Sequence, residues 1–184
     1  MVSDSRRHLH GPRDDVIGDR RDERSPEEER ARRKTCSKAW TLLTREIQSN
    51  KELKGQLILA RTYLGTECGF AKKSLPMLKT FLKQHQSADF IFYSSQFWYA
   101  ESLLAMDRTD EAIKTYRWIL GELDSPLYPL AMMRTGHCYW DDNEVEQARE
   151  YLQHVRDWVG DKTSPTWVLS LKAQIEEDLR SFQE

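Results

Sequence analysis

The feature that most constrains this chain is a pattern that occurs twice at a fixed offset. Phe97-Trp98-Tyr99-Ala100-Glu101-Ser102-Leu103 precedes Asp110-Glu111-Ala112-Ile113-Lys114-Thr115-Tyr116-Arg117-Trp118-Ile119. Met133-Arg134-Thr135-Gly136-His137-Cys138-Tyr139 precedes Glu146-Gln147-Ala148-Arg149-Glu150-Tyr151-Leu152-Gln153-His154-Val155 in the same way. Ala100 to Ala112 is 12 residues, as is Gly136 to Ala148, and the two copies stand 36 apart. A period of this size marks a supersecondary unit that cannot bury its apolar face alone and so stacks on its neighbours. Each unit reads as two antiparallel helices. Ala100, Gly136, Ala112 and Ala148 fall where the axes approach, and Leu103/Tyr139, Tyr116/Leu152 and Ile119/Val155 fill the seam to the next pair.

The rest of the chain extends this scheme. Leu59-Ala60-Arg61-Thr62-Tyr63 matches the first helix, and Ser74-Leu75-Pro76-Met77-Leu78 opens a match to the second. Counted from Ala60, the gap to Ser74 is 14, which predicts an insertion in the turn around Gly65 to Gly69 and puts Pro76 in a first turn, where proline is tolerated. Upstream, Ser25-Pro26-Glu27-Glu28 is a helix start, with a hydroxyl cap, proline at the first position and acids in the first turn. Cys36, Ala39, Trp40, Leu43 and Ile47 then follow at helical spacing. The expected architecture is all-α: a cap or half-repeat helix over 27–48, helix pairs over about 53–85, 93–122 and 129–158, and a closing helix over 165–182 behind Ser164-Pro165. Asp89-Phe90-Ile91-Phe92-Tyr93 is assigned to a loop and helix start, since a lone strand has no partner. Residues 1–26 carry no periodicity, and from Met1 to Lys34 ten basic residues mix with nine acids, a composition that predicts a disordered tail.

The small residue, the aromatic three later at Tyr139, the alanine 12 on and the proline near the end resemble the tetratricopeptide repeat. The 36-residue period and the Ser125-Pro126 linker are similar to the variant in bacterial envelope assembly proteins, namely the Tol-Pal coordinator and the outer-membrane lipoprotein of the barrel assembly machine. The resemblance runs from about residue 53 to 180 and implies a right-handed α-solenoid of about three pairs plus capping helices, acting as an adaptor or assembly factor of bacterial type.

Composition narrows the function. With 28 basic and 30 acidic side chains the net charge is −2, so there is no basic field to draw nucleic acid. No stretch reaches the roughly 18 apolar residues of a membrane span, and Met1-Val2-Ser3-Asp4-Ser5-Arg6-Arg7 is no secretory signal, which makes the expected location cytoplasmic. Cys36, Cys68 and Cys138 are odd in number and widely spaced, and read as reduced, packed thiols. His8 and His10 lack further ligands, Asp141-Asp142-Asn143-Glu144 lacks the glycine and spacing of a calcium loop, and no phosphate loop or nucleophile motif occurs. We therefore expect no enzyme, cofactor or metal.

In tetratricopeptide repeats the first helices line a concave groove. The register set by Ala60, Ala100, Gly136 and Ser170 places Leu57, Phe97, Met133 and Trp167 on that face, with Arg61, Glu101, His137 and Trp140 beside them. The expected partner is another protein, through a hydrophobic or amphipathic segment laid on this ridge; the competing reading is that the chain covers these residues itself, in a tight superhelix or by the N-terminal helix. A cytosolic secretion chaperone and a homo-oligomeric scaffold are the alternatives. Only Arg61 suits a clamp for a C-terminal carboxylate, so that mode is not expected.

Overall fold

The computed structural model describes residues 25–181 apart from 86, 88, 123, 124 and 161–165, and the side chains of 166–169 are likewise outside it. The described chain is all-helical. Its helices are α1 (Pro26–Ser49), α2 (Lys54–Glu67), α3 (Ala71–Gln84), α4 (Phe90–Leu104), α5 (Thr109–Leu120), α6 (Tyr128–Asp141), α7 (Val145–Gly160) and α8 (Thr166–Ser181). The expected tail lies, up to residue 24, outside the described residues, as does the Ser164-Pro165 turn. Each helix packs on the next in the chain, and α2 also packs on α4.

The starts follow from local chemistry. Ser25 and Glu28 form a reciprocal capping box on α1, the hydroxyl accepting from the Glu28 amide and the carboxylate from the Ser25 amide. Asp89 accepts the Phe92 amide, so α4 begins at Phe90, three residues before the expected start of the pair over 93–122. Ser125 is buried and its hydroxyl accepts the Leu127 amide just ahead of α6, which has proline in its first turn and no side-chain cap. Pro76 is not in a first turn but at the sixth position of α3, where its exposed ring faces away from the packed side.

The 12-residue spacing holds in all three pairs, but the register differs from the expected one in the first. Ala60 is exposed, whereas Thr62 and Ser74 are fully buried and lie 12 apart. Thr62 therefore stands where Ala100 and Gly136 stand, and Ser74 where Ala112 and Ala148 stand. The turn needs no insertion. Four residues on, Leu78, Tyr116 and Leu152 occupy one equivalent position and are all fully buried. Thr62 is accommodated because its hydroxyl turns back to the Ile58 carbonyl at 2.8 Å. At the closest approach in the last pair, a Cβ on Gly136 would lie 3.1 Å from Leu152 Cγ and 3.3 Å from the Ala148 carbonyl oxygen.

The expectation of reduced thiols is overturned for two of the three cysteines. Cys36 of α1 and Cys68 at the end of α2 form a disulfide, their Cα atoms 6.0 Å apart. Separation of 32 residues in sequence hid the pairing, which the return of α2 along α1 creates. The closed loop predicts a contribution of about 3–4 kcal/mol through the unfolded state. Helix α1 depends on it, because Cys36 is its one buried residue. Beyond the disulfide, α1 is held by Trp40 edge-on to Phe70 at 5.4 Å and by Arg32 donating to the Glu67 carbonyl at 3.0 Å. Cys138 remains free and buried, and burial pushes its thiol up to about 12.

Two measurements check these points. Under native conditions a thiol reagent should label no cysteine, denaturation should release one, and reduction should release three. Gly136→Val should lose about 2–3 kcal/mol in urea unfolding, because its β-branch has no room against Leu152 and the Ala148 backbone. An unchanged midpoint would contradict the close approach.

Candidate partner-binding face

The residue after each small position reaches forward to a later first helix. Tyr63 of α2 meets Trp98 of α4 edge-on at 4.9 Å, and beside them the Thr66 and Ser102 hydroxyls are 3.2 Å apart. Glu101 of α4 takes Arg134 of α6 as a two-point pair, from Nε at 2.7 Å and Nη2 at 2.9 Å. His137 of α6 pairs through Nε2 with Asp178 of α8 at 2.8 Å, and Gln174 donates to the other oxygen of that carboxylate at 3.0 Å. Repetition of one position thus builds three rungs, from α2 to α4, α4 to α6 and α6 to α8: one aromatic, two polar.

The middle rung is deeply set. Glu101 is buried and also accepts the hydroxyl of Tyr116, a fully buried residue of α5. Burial, followed by the negative charge of Glu101, holds the Tyr116 phenol well above its ordinary pKa. Burial alone would lower the Arg134 pKa, but the facing Glu101 and Tyr116 outweigh it and the guanidinium is held above its usual value. Tyr116 stays protonated and Arg134 charged, so the cluster is a fixed donor–acceptor set and not a proton-transfer device.

The predicted groove residues therefore divide. Glu101 is buried and committed to Arg134 and Tyr116. Met133 is 6% exposed, within a core of Leu152, Val155, Val159, Leu171 and Ile175. Neither offers a surface to a partner, because Arg134 and the α7–α8 packing cover them. His137 is half-buried in its pair with Asp178. Arg61 lies under Trp40 of α1, its guanidinium 4.1 Å from the ring centroid, and Nη1 contacts Met77 Sδ at 3.1 Å. Burial lowers its pKa, and its Nε is enclosed without a hydrogen bond. Phe97 is half-buried against Tyr116 and Trp98. Leu57 and Trp140 are half-buried, and Trp167 lies on α8 with its side chain outside the described residues.

The side chain that sequence reading missed is Tyr63, 50% exposed beside Trp98. Its signal was present. Taking Thr62 in place of Ala60 as the small position makes Tyr63 the counterpart of Glu101 and His137. A threonine among alanine and glycine disguised it.

Among the described residues no group of three or more His, Cys, Asp and Glu is gathered as a metal site, and no helix is long and apolar enough to cross a membrane.

Removing one member of the middle rung should be costly. Arg134→Met leaves the Glu101 carboxylate buried without its cation and should lose about 3–5 kcal/mol in urea unfolding, while Glu101→Leu/Arg134→Met should lose less than the single change. A double-variant loss equal to the sum of the Arg134→Met and Glu101→Leu losses would mean that the pair is not coupled.

Compared with known proteins, the chain matches no protein-family model, no curated protein and no solved structure.

Proposed function

We propose that this chain is a non-enzymatic interaction module whose helix pairs stack as a tetratricopeptide-type solenoid and whose first-helix face receives a hydrophobic or amphipathic segment of another protein. The observation that carries the reading is the Tyr63–Trp98 pair. A half-exposed tyrosine set edge-on against a tryptophan is a rigid apolar anchor, with Leu57 and Leu64 on the same helix and Leu104 and Trp140 at the equivalents of Thr66. Aromatic anchors of this kind suit recognition of an apolar helix or strip. The two polar rungs beside it are internally satisfied, so they shape the face and leave the aromatic end as the contact.

The Cys36–Cys68 disulfide favours an oxidising compartment over the cytoplasm expected from the sequence, because cytosolic thiol systems keep such pairs reduced. It speaks for the envelope-assembly type of adaptor and against the cytosolic chaperone.

A photo-crosslinking residue at position 63 or 140 should capture a partner in the source cell, and one at the exposed Leu42 of α1 should not. Tyr63→Glu/Trp140→Glu should abolish capture while helicity is retained. Equal capture from all three positions, or none from 63 and 140, would remove this face as the binding site.

A further inference from the structure

The second helices carry a charge pattern that the first-helix face does not use. The register of Ser74, Ala112 and Ala148 makes Lys72, Pro76, Lys79 and Lys83 of α3 equivalent to Glu146, Glu150, Gln153 and Asp157 of α7. All eight are exposed. Spacing of four, three and four residues puts each set in one stripe, about 16 Å long at the helical rise. Helix α3 has no acidic residue at all; its fourth lysine, Lys73, stands off the stripe over the Phe70 ring at 5.1 Å. The asymmetry extends beyond the helices. Seven basic residues face three acids over 51–90, and eleven acids face five basic residues over 141–184.

Among the described residues each stripe is only partly neutralised within one copy: Lys79 acts on Glu111 of α5, and two acids of α7 have arginine neighbours on their own helix. Arg149 approaches Glu146 at 3.9 Å and Arg156 lies beside Asp157 at 3.1 Å, leaving Glu150 between them. The intervening α5 is mixed, with Asp110, Lys114 and Arg117 at the equivalent positions, so it neither links nor repels strongly. Arg117 is turned toward the Tyr139 hydroxyl.

We propose that a second copy of this chain docks here, the basic α3 stripe of one copy lying antiparallel along the acidic α7 stripe of the other. Antiparallel alignment opposes Lys72 to Asp157, Lys79 to Glu150 and Lys83 to Glu146, and sets the uncharged Pro76 against Gln153. Every charge on one stripe meets its opposite. Because the pairs are exposed, each is weak and screened, so the association is low in affinity and steep in salt. The net charge of −2 and the shortness of the basic stripe favour this occupant over nucleic acid.

Sedimentation velocity on the full chain tests it. Wild type should associate in about 20 mM salt and dissociate in about 500 mM, where the screening length falls from about 20 Å to about 4 Å. A mass of twice 21.7 kDa means that the contact closes as a pair, and a ladder of multiples means that it runs head to tail; either supports the pairing. Lys79→Glu/Lys83→Glu alone and Glu146→Lys/Glu150→Lys alone should each be monomeric at low salt, and their equimolar mixture should associate again. Rescue on mixing cannot come from misfolding. If circular dichroism shows either variant unfolded, Lys79→Gln/Lys83→Gln replaces it and should weaken association at least about tenfold. A monomeric wild type at low salt, association that survives both reversals, or a mixture that stays monomeric overturns the proposal. Polyglutamate binding to a monomeric wild type would assign the α3 stripe to an acidic partner instead.

Discussion

Close approach of paired helices is the constraint on which the remaining structure depends. At Thr62/Ser74, Ala100/Ala112 and Gly136/Ala148 the side chains are small enough for two backbones to draw together, and a Cβ on Gly136 already has no free space. That contact fixes how far each pair is rotated, and hence which residues point into the seam. Leu78, Tyr116 and Leu152 are fully buried four residues on because the approach turns them there. Position of the rungs follows from the same contact, since the residue after each small one is carried toward a neighbouring first helix.

Polar groups within this frame serve different ends. The Glu101–Arg134–Tyr116 cluster places a charge pair where an apolar pair would pack, and such a cluster tolerates only one arrangement because each member needs the others. It joins α4, α5 and α6 in a fixed relation. The exposed pairs, such as Arg108 with Glu111 at 2.7 Å or Arg33 with Glu29 at 2.8 Å, bind neighbours on one helix or its cap and fix no tertiary relation. Glu29 is nonetheless held down at about 2 by Arg32 and Arg33, so the first turn of α1 keeps its negative charge at any physiological pH.

Much of the architecture was legible in the residues, because helix periodicity, caps and the 12-residue spacing are local. The all-helical class and the seams of the pairs α4–α5 and α6–α7 could be read directly. What was not legible is non-local. A hydroxyl that satisfies itself on its own helix, as Thr62 does, behaves as a small residue, and spacing alone did not separate it from Ala60 two positions away. The Cys36–Cys68 pairing needed the return of α2 along α1. Glu101, Met133 and His137 were placed on the right helices, but whether they face a partner or their own chain depends on what α6, α7 and α8 bring against them. Arg134, Leu152 and Asp178 decide that, and each is more than 15 residues away in sequence.

The covalent bridge between α1 and the end of α2 also sets how the molecule bears a load. A pull on the chain ahead of Cys36 passes through sulfur directly into Cys68 and on to α3, bypassing α2 and the second half of α1. Only the first ten residues of α1, Pro26 to Thr35, lie ahead of that bridge, so they can unravel while Trp40 keeps its seat on Phe70 and Arg61. In the oxidised chain those ten helical residues can therefore unravel without loading α2, and reduction would move the point of yielding to the packing of α1 itself.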